Sequence, residues 1–222
     1  MSNSVMTLRK TELASSTKPF VTRGSRVKRC ELCLLPQQHC LCADKPMQGG
    51  RCAVIMLMAK GEYYKPSNTG RLIADVIAEN YAFKWHRTMP QPELIALLDD
   101  PTYKPYVIFP HQYATPARRV SGVEDTKTPL FIFLDGTWRE AKRMFTKSAY
   151  LQGLPVLGVQ PDFHSNYRLR EAAHDYQLST AEVAIEVLKM AEENAAATAL
   201  ENYFTLFTER YLKGRPDRKD RG

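Results

Sequence analysis

With 222 residues, 44% of them hydrophobic, the chain suits one α/β domain with a small appendage and is long enough to bury a real core, whereas two full domains would be cramped. No run of eighteen apolar residues is present, and residues 1–29 mix Ser, Thr, Lys and Arg without the apolar stretch of a secretory signal, so a soluble, cytoplasmic protein is expected rather than a membrane helix. The formal charge of +7 sits at the ends, with seven Lys/Arg against one Glu in residues 1–29 and five against two Asp in residues 213–222, which leaves the body slightly negative. Two basic ends suit a polyanion, since each neutralised phosphate releases counterions, but they suit a pair of solvated tails equally well.

Residues 1–27 read as a basic, flexible arm. Residues 28–50 follow as a small module whose cysteines, Cys30, Cys33, Cys40 and Cys42, have the spacing C-x2-C-x6-C-x-C. That spacing brings four thiolates within reach of one tetrahedral ion, with zinc the usual occupant and an iron–sulfur cluster the alternative. His39 is a possible substitute ligand, although four sulfurs already complete a closed, structural site. Disulfides are disfavoured where thiols are kept reduced. Arg26, Lys28 and Arg29 precede the cluster, so the ion would order a knob bearing cations, and removing it should unfold the knob before the rest.

Residues 51–213 read as the main domain. Cys52 to Met58 is a continuous apolar run, as in a strand buried on both faces. Asn68 and Thr69 offer caps for a helix with Leu72, Ile73, Val76 and Ile77 on one stripe. A second strand is expected at Ala82–Trp85, a helix with Pro92 as its first residue, and a third strand at Tyr106–Phe109 ended by Pro110. His111 to Pro129 reads as loop. Leu130–Leu134 is the clearest strand, Thr137–Lys147 a helix and Pro155–Val159 another strand. Helices beginning near Ser179 and spanning about Ala195–Leu212 complete the domain, and residues 214–222 form a basic tail. Alternating strands and helices imply an α/β fold with a mainly parallel sheet covered on both faces.

Leu134-Asp135-Gly136-Thr137-Trp138 joins the clearest strand to a helix, at the carboxyl edge where open α/β sheets bind ligands. Gly136 permits the bend, Thr137 or Asp135 can cap the helix, and its free N–H groups can hold a carboxylate. A plain cap with a core tryptophan is the alternative. In the helix, Trp138, Ala141, Met144 and Phe145 are expected to face the core. Arg139, Lys142, Arg143 and Lys147 share the opposite face, with no acid after Glu140 to pair with them, which favours a phosphate partner. Trp85 and His86 read as packing and surface residues.

These pieces resemble the DTW-domain proteins, and within them the bacterial tRNA-uridine aminocarboxypropyltransferases. The resemblance rests on the cysteine cluster, on Lys65-Pro-Ser-Asn-Thr-Gly-Arg71, on Leu134-Asp-Gly-Thr-Trp138, on Tyr167-Arg-Leu-Arg170 and on Ser179-Thr-Ala-Glu182. Taken in this order they cover about residues 28–212. Met58 to Tyr64 lacks the histidine that many members carry, and no role is assigned to it. The resemblance implies a fold similar to the knotted SPOUT methyltransferases, S-adenosylmethionine as donor and a variable-loop uridine of tRNA as acceptor; a structural zinc in the four cysteines is expected from their spacing, and neither a membrane nor an obligate protein partner is expected. It implies catalytic roles for Asp135, Thr137 and Trp138, and donor contacts from Phe109, Pro110, Leu134, Asp135, Gly136, Tyr167, Leu169, Ser179, Thr180 and Glu182. RNA contacts would come from Arg26, Lys28, Arg29, Arg71, Arg139, Lys142, Arg143, Arg168 and Arg170.

In such a reaction uridine N3 attacks the γ-carbon of the donor's methionine part and methylthioadenosine leaves, so orientation of the donor decides between this product and methylation. Asp135 serves either as the base for the N3 proton or as an electrostatic holder of the sulfonium or amine. A carboxylate at a helix N-terminus is a poorer base. Glu182 is the runner-up for the amine or ribose, Ser179 and Thr180 either cap their helix or meet the donor, and Arg71 suits either the donor carboxylate or an RNA phosphate. Two rivals remain, a SPOUT-like RNA methyltransferase and a non-catalytic zinc RNA-binding protein; a nucleotide hydrolase is disfavoured because no GxxxxGK[ST] loop is present.

Overall fold

A computed structural model of the chain describes residues 2–17, 27–124, 126–159 and 178–214. Its centre is a six-stranded sheet, β1 (Gly49–Met58), β2 (Ile77–Lys84), β3 (Tyr103–Ile108), β4 (Arg119–Val120), β5 (Thr128–Asp135) and β6 (Val156–Leu157). The strands run in the order β2-β1-β5-β3-β6-β4, and every pairing is parallel. The central strands β1 and β5 are apolar without alternation because both faces are covered. From β1, Val54, Met56 and Met58 enter one core cluster while Ala53, Ile55 and Leu57 enter the other.

Among the described residues six helices cover these faces, α1 (Ser4–Ala14), α2 (Gly70–Val76), α3 (Pro92–Asp99), α4 (Trp138–Lys147), α5 (Thr180–Met190) and α6 (Asn194–Lys213). Helices α2, α5 and α6 join the first cluster, and α3 and α4 the second. The connection leaving β1 therefore turns to one face, and the connection leaving its neighbour β5 turns to the other. That divergence is a topological switch point at the carboxyl ends of β1 and β5, the place where open α/β sheets form a ligand-binding crevice. None of the helices among the described residues is long and apolar enough to cross a membrane.

Several expectations need correction. Residues 4–14 are not an arm but a helix, capped by the Asn3 side chain on the Met6 N–H and docked on β2 and α2 through Val5 and Leu8. Its charge misled, because two apolar residues one turn apart suffice to seat a short helix. Helix α2 has no solvent face. All seven residues are buried, since it packs against α1, α5 and α6 as well as the sheet, and Ile77 already belongs to β2. Within 111–129, read as loop, Arg119–Val120 forms a two-residue edge strand beside β6. His111 supports that edge, its Nε2 lying 3.1 Å from the carbonyls of both Val120 and Val156.

The cysteine module is not a separate knob. Leu35 and Leu41 are fully buried in the same cluster as Phe204 and Phe207 of α6, and Arg210 of α6 donates to the Cys40 carbonyl and pairs with Asp44 at 2.9 Å. Asp75 in α2 gathers three parts of the chain, accepting from Asn3 at 2.9 Å, Lys45 at 2.7 Å and Tyr203 at 3.2 Å.

Candidate functional site

Asp135 ends β5 at the switch point, in register with Met58 of β1, which is in register with Lys84 of β2. Its carboxylate is 2% exposed. Thr180 Oγ1, at the start of α5, donates to Oδ1 at 2.7 Å, and Asn68 Nδ2 donates to Oδ2 at 2.6 Å. Asp135 therefore does not cap α4. Thr137 does, in a capping box with Glu140: the Glu140 N–H reaches Thr137 Oγ1, and Glu140 Oε2 accepts from the Thr137 N–H at 2.8 Å.

Asn68 joins two buried carboxylates. The same Nδ2 lies 3.3 Å from Oε1 of Glu62, which is 1% exposed and also pairs with Lys65. Burying two anions is costly unless each is hydrogen-bonded, and here the donors come from Lys65, Asn68 and Thr180. Glu62 is balanced by Lys65, so the negative charge offered here is that of Asp135, which suits a cationic ligand group such as an ammonium or a sulfonium. Gly70 makes this packing possible: a Cβ there would stand 2.7 Å from Asp135 Oδ2. Gly136 is similarly confined, since a Cβ on it would stand 3.0 Å from that of Ala59.

The other side of the crevice is aromatic. Trp138 is 39% exposed rather than a core residue, because at the first position of α4 it overhangs the sheet edge. Its indole stacks on Phe109 at 5.4 Å with 7° between planes, and Tyr113 meets it edge-on at 5.6 Å. Ala141, Met144 and Phe145 do face the core, and Arg139, Lys142, Arg143 and Lys147 are exposed. Lys142 lies over Tyr113 at 4.7 Å and Arg143 over Trp85 at 5.6 Å.

The remaining expected site residues divide. Leu134 is buried beside Asp135, and Pro110 opens the short turn that carries Tyr113. Ser179 caps α5 in a second capping box, in which the Glu182 carboxylate accepts the Ser179 N–H at 2.7 Å. Arg71 is 2% exposed, donating to the Pro66 carbonyl at 2.9 Å and lying 5.0 Å from the centre of the Phe207 ring. It is a packing residue enclosed by the fold, where RNA contact had been expected. Lys28 is exposed, and Arg29 donates to the Leu34 carbonyl at 3.1 Å. Arg26, Tyr167, Arg168, Leu169 and Arg170 lie outside the described residues.

Sequence reasoning missed Glu62, Lys65, the amide of Asn68, and Tyr113. The signal for Asn68 was present but read as a cap, and that role is real: its Oδ1 accepts the Arg71 N–H at 3.1 Å, leaving the amide nitrogen for the carboxylates. Glu62 carried a weaker signal, an acid four residues beyond the end of a buried strand.

The four cysteines form a cage of the size a metal ion needs. Their sulfurs all lie within 4.8 Å of one another, with Cys30–Cys42 at 3.6 Å and Cys33–Cys40 at 3.7 Å. A tetrahedron of zinc–sulfur bonds of about 2.3 Å has edges of about 3.8 Å, so the cage has the size of a zinc site. Burial pushes the Cys30 thiol up, but the backbone N–H groups of Cys33 and Leu32, with the Cys40 and Cys42 thiols, outweigh it and bring it down to about 7. His39 is not part of the cage.

No solved structure matches the chain. The family model for the DTW domain matches residues 27–212, most of the sequence, and the chain belongs to the DTW-domain family.

Proposed function

We propose that the protein is a tRNA-modifying transferase that moves the 3-amino-3-carboxypropyl group of S-adenosylmethionine to N3 of a uridine in tRNA. Membership of the DTW family supports a tRNA-modifying role. The observation that carries the finer reading is the pair of buried carboxylates, Asp135 and Glu62, joined by Asn68 at the switch point of a parallel sheet. A carboxylate held in place by Asn68 and Thr180 attracts a sulfonium or an ammonium at a fixed point, which is the requirement for presenting the γ-carbon rather than the methyl group.

S-adenosylmethionine supplies an activated γ-carbon and a thioether leaving group. The bond from uridine N3 to that carbon forms as the carbon–sulfur bond breaks, the electron pair departs on sulfur as methylthioadenosine, and the N3 proton passes to a base. Asp135, already accepting two hydrogen bonds, is a weak base and a strong electrostatic holder. The holding role is therefore the one we assign, with the released proton passing to solvent. Trp138 and Tyr113 offer rings against which the adenine or the acceptor base stacks, and Arg139, Lys142 and Arg143 face the RNA backbone. The four cysteines would hold a structural zinc. A chain topology like that of the knotted SPOUT enzymes belongs to the same proposal and rests on the family resemblance.

Incubation with tRNA and S-adenosylmethionine tests it. Methylthioadenosine with a mass gain of one aminocarboxypropyl group on tRNA is the expected result, absent with Asp135→Ala. Formation of S-adenosylhomocysteine instead would establish a methyltransferase, and consumption of no donor would leave an RNA-binding protein.

A further inference from the structure

The outer strand β2 leads into a trough that the reading above leaves unassigned except for Arg143. Two adjoining cavities, of about 590 and 450 Å³, run along the carboxyl ends of β1 and β2 and share Lys60 and Lys84. The first is walled by the C-terminal part of α1, including Glu12, and the second by Trp85, Arg87 and Arg143. Lys84 is in register with Met58, and Met58 with Asp135, so at a strand spacing of about 4.8 Å the trough begins about 10 Å from the backbone of Asp135.

Its charge is uneven in a useful way. Lys84 is neutralised by Glu12 at 2.8 Å, and the acid of the second cavity, Glu140, is held in the capping box of α4. Among the described residues no carboxylate lies within 4 Å of Lys60, Arg87 or Arg143. All three are exposed. Trp85 is held between them by its N–H bond to Ser148 Oγ at 2.8 Å. Arg143 lies over one face of that indole, and cations spaced along a groove beside a fixed ring match an unpaired polynucleotide, whose phosphates need successive charges and whose bases need a ring to stack on. A single phosphate would instead call for donors converging on one point.

We propose that this trough, lined by Lys60, Trp85, Arg87 and Arg143 and walled by α1, is the track along which an RNA strand reaches Asp135. The inference rests on the reading of RNA as acceptor and adds where the RNA lies. Helix α1 thereby becomes one bank of the binding site, held there by Glu12, which bonds both Lys84 and Tyr63 at 2.8 Å.

The test measures binding of unfractionated tRNA to the full chain across a salt series. The double variant Lys60→Glu/Arg87→Glu is compared with Arg51→Glu/Lys104→Glu, which makes the same charge change at the opposite, amino-terminal edge of the sheet. The trough variant should bind about tenfold more weakly at low salt, with the slope of log affinity against log salt reduced by about two, while the control stays within about twofold of the parent. Equal loss in both variants, or no loss in the trough variant with unchanged circular dichroism, overturns the proposal. If the parent binds tRNA through the trough yet releases no methylthioadenosine, the transferase reading fails and the track stands. If methylthioadenosine forms while binding ignores the trough, the track alone is wrong.

Discussion

Asn68 and Asp135 stand 2.6 Å apart, amide nitrogen to carboxylate oxygen, and the orientation of that amide is fixed by the bond from the Arg71 N–H to its other end. A flip would turn the amide oxygen toward two carboxylates and forfeit three hydrogen bonds at once. Asn68 therefore acts as a one-way joint between α2 and β5, setting where the Asp135 charge sits in the crevice. Asn68→Ala leaves buried carboxylate oxygens without this donor, which costs about 1–3 kcal/mol of stability. Urea melts should show that loss, and methylthioadenosine release should fall at least about tenfold. Asn68→Asp, which adds a third acid to the same spot, should be worse on both counts. Activity in Asn68→Ala equal to the parent's would remove the amide from the mechanism.

Gly70 sets the room left for the Asp135 carboxylate. Alanine favours a helix over glycine by about 1 kcal/mol, yet a Cβ at this position meets Asp135 Oδ2 and Met56 Cε, both at 2.7 Å. The methionine can swing aside, whereas the carboxylate is held by Asn68 and Thr180 and must be displaced bodily. Gly70→Ala is expected to melt lower than the parent, because displacing the carboxylate breaks buried hydrogen bonds whose loss costs about 1–3 kcal/mol, and to lose most transfer activity. Full activity would mean that the position of the Asp135 carboxylate is not critical.

Much of this arrangement was legible from the residues. The apolar runs at 52–58 and 130–134 lie within central strands because continuous hydrophobicity of that length fits burial on both faces. The bend at Asp135 lies at the carboxyl edge, as a strand-to-helix junction dictates. What could not be read was which polar groups meet. The bond from Thr180 to Asp135 spans forty-five residues and depends on α5 returning to the edge of β5. Trp138 misled for a related reason, since helical periodicity assigns it to the core stripe, but its place at the first turn lies beyond the sheet, where the rings of Phe109 and Tyr113 meet it. The arm misled because composition reports charge, whereas docking of α1 needed only Val5, Leu8 and the cap on Asn3.

Metal removal should unfold more than the module. Leu35 and Leu41 lie in the main core, and Arg210 ties α6 to the Cys40 carbonyl and to Asp44. Loss of the ion therefore loosens the packing of α6, which covers one face of the sheet. A chelator, or Cys40→Ser, is expected to lower the melting temperature of the whole domain in a single transition, with the near-ultraviolet signal of the aromatic core lost at the same temperature as the helical signal. An early transition of the module alone, with the core unchanged, would show that the two are mechanically independent.

The docking of α1 carries its own pH dependence. Burial works against the charged form of Glu12, but hydrogen bonds from Lys84 and Tyr63 and the charge of Lys84 outweigh it, so its carboxyl lies below the ordinary value of 4.5. A carboxyl whose folded value is depressed binds protons less readily folded than unfolded. Its contribution is complete above the unfolded value and disappears as pH falls through the folded one. Glu12→Gln should therefore melt lower than the parent at pH 7, with the gap closing as the pH drops below about 4.5, and protease cleavage within residues 4–14 should rise in the same window. A gap that persists undiminished in acid would assign the effect to the shape of the Glu12 side chain and not to its charge.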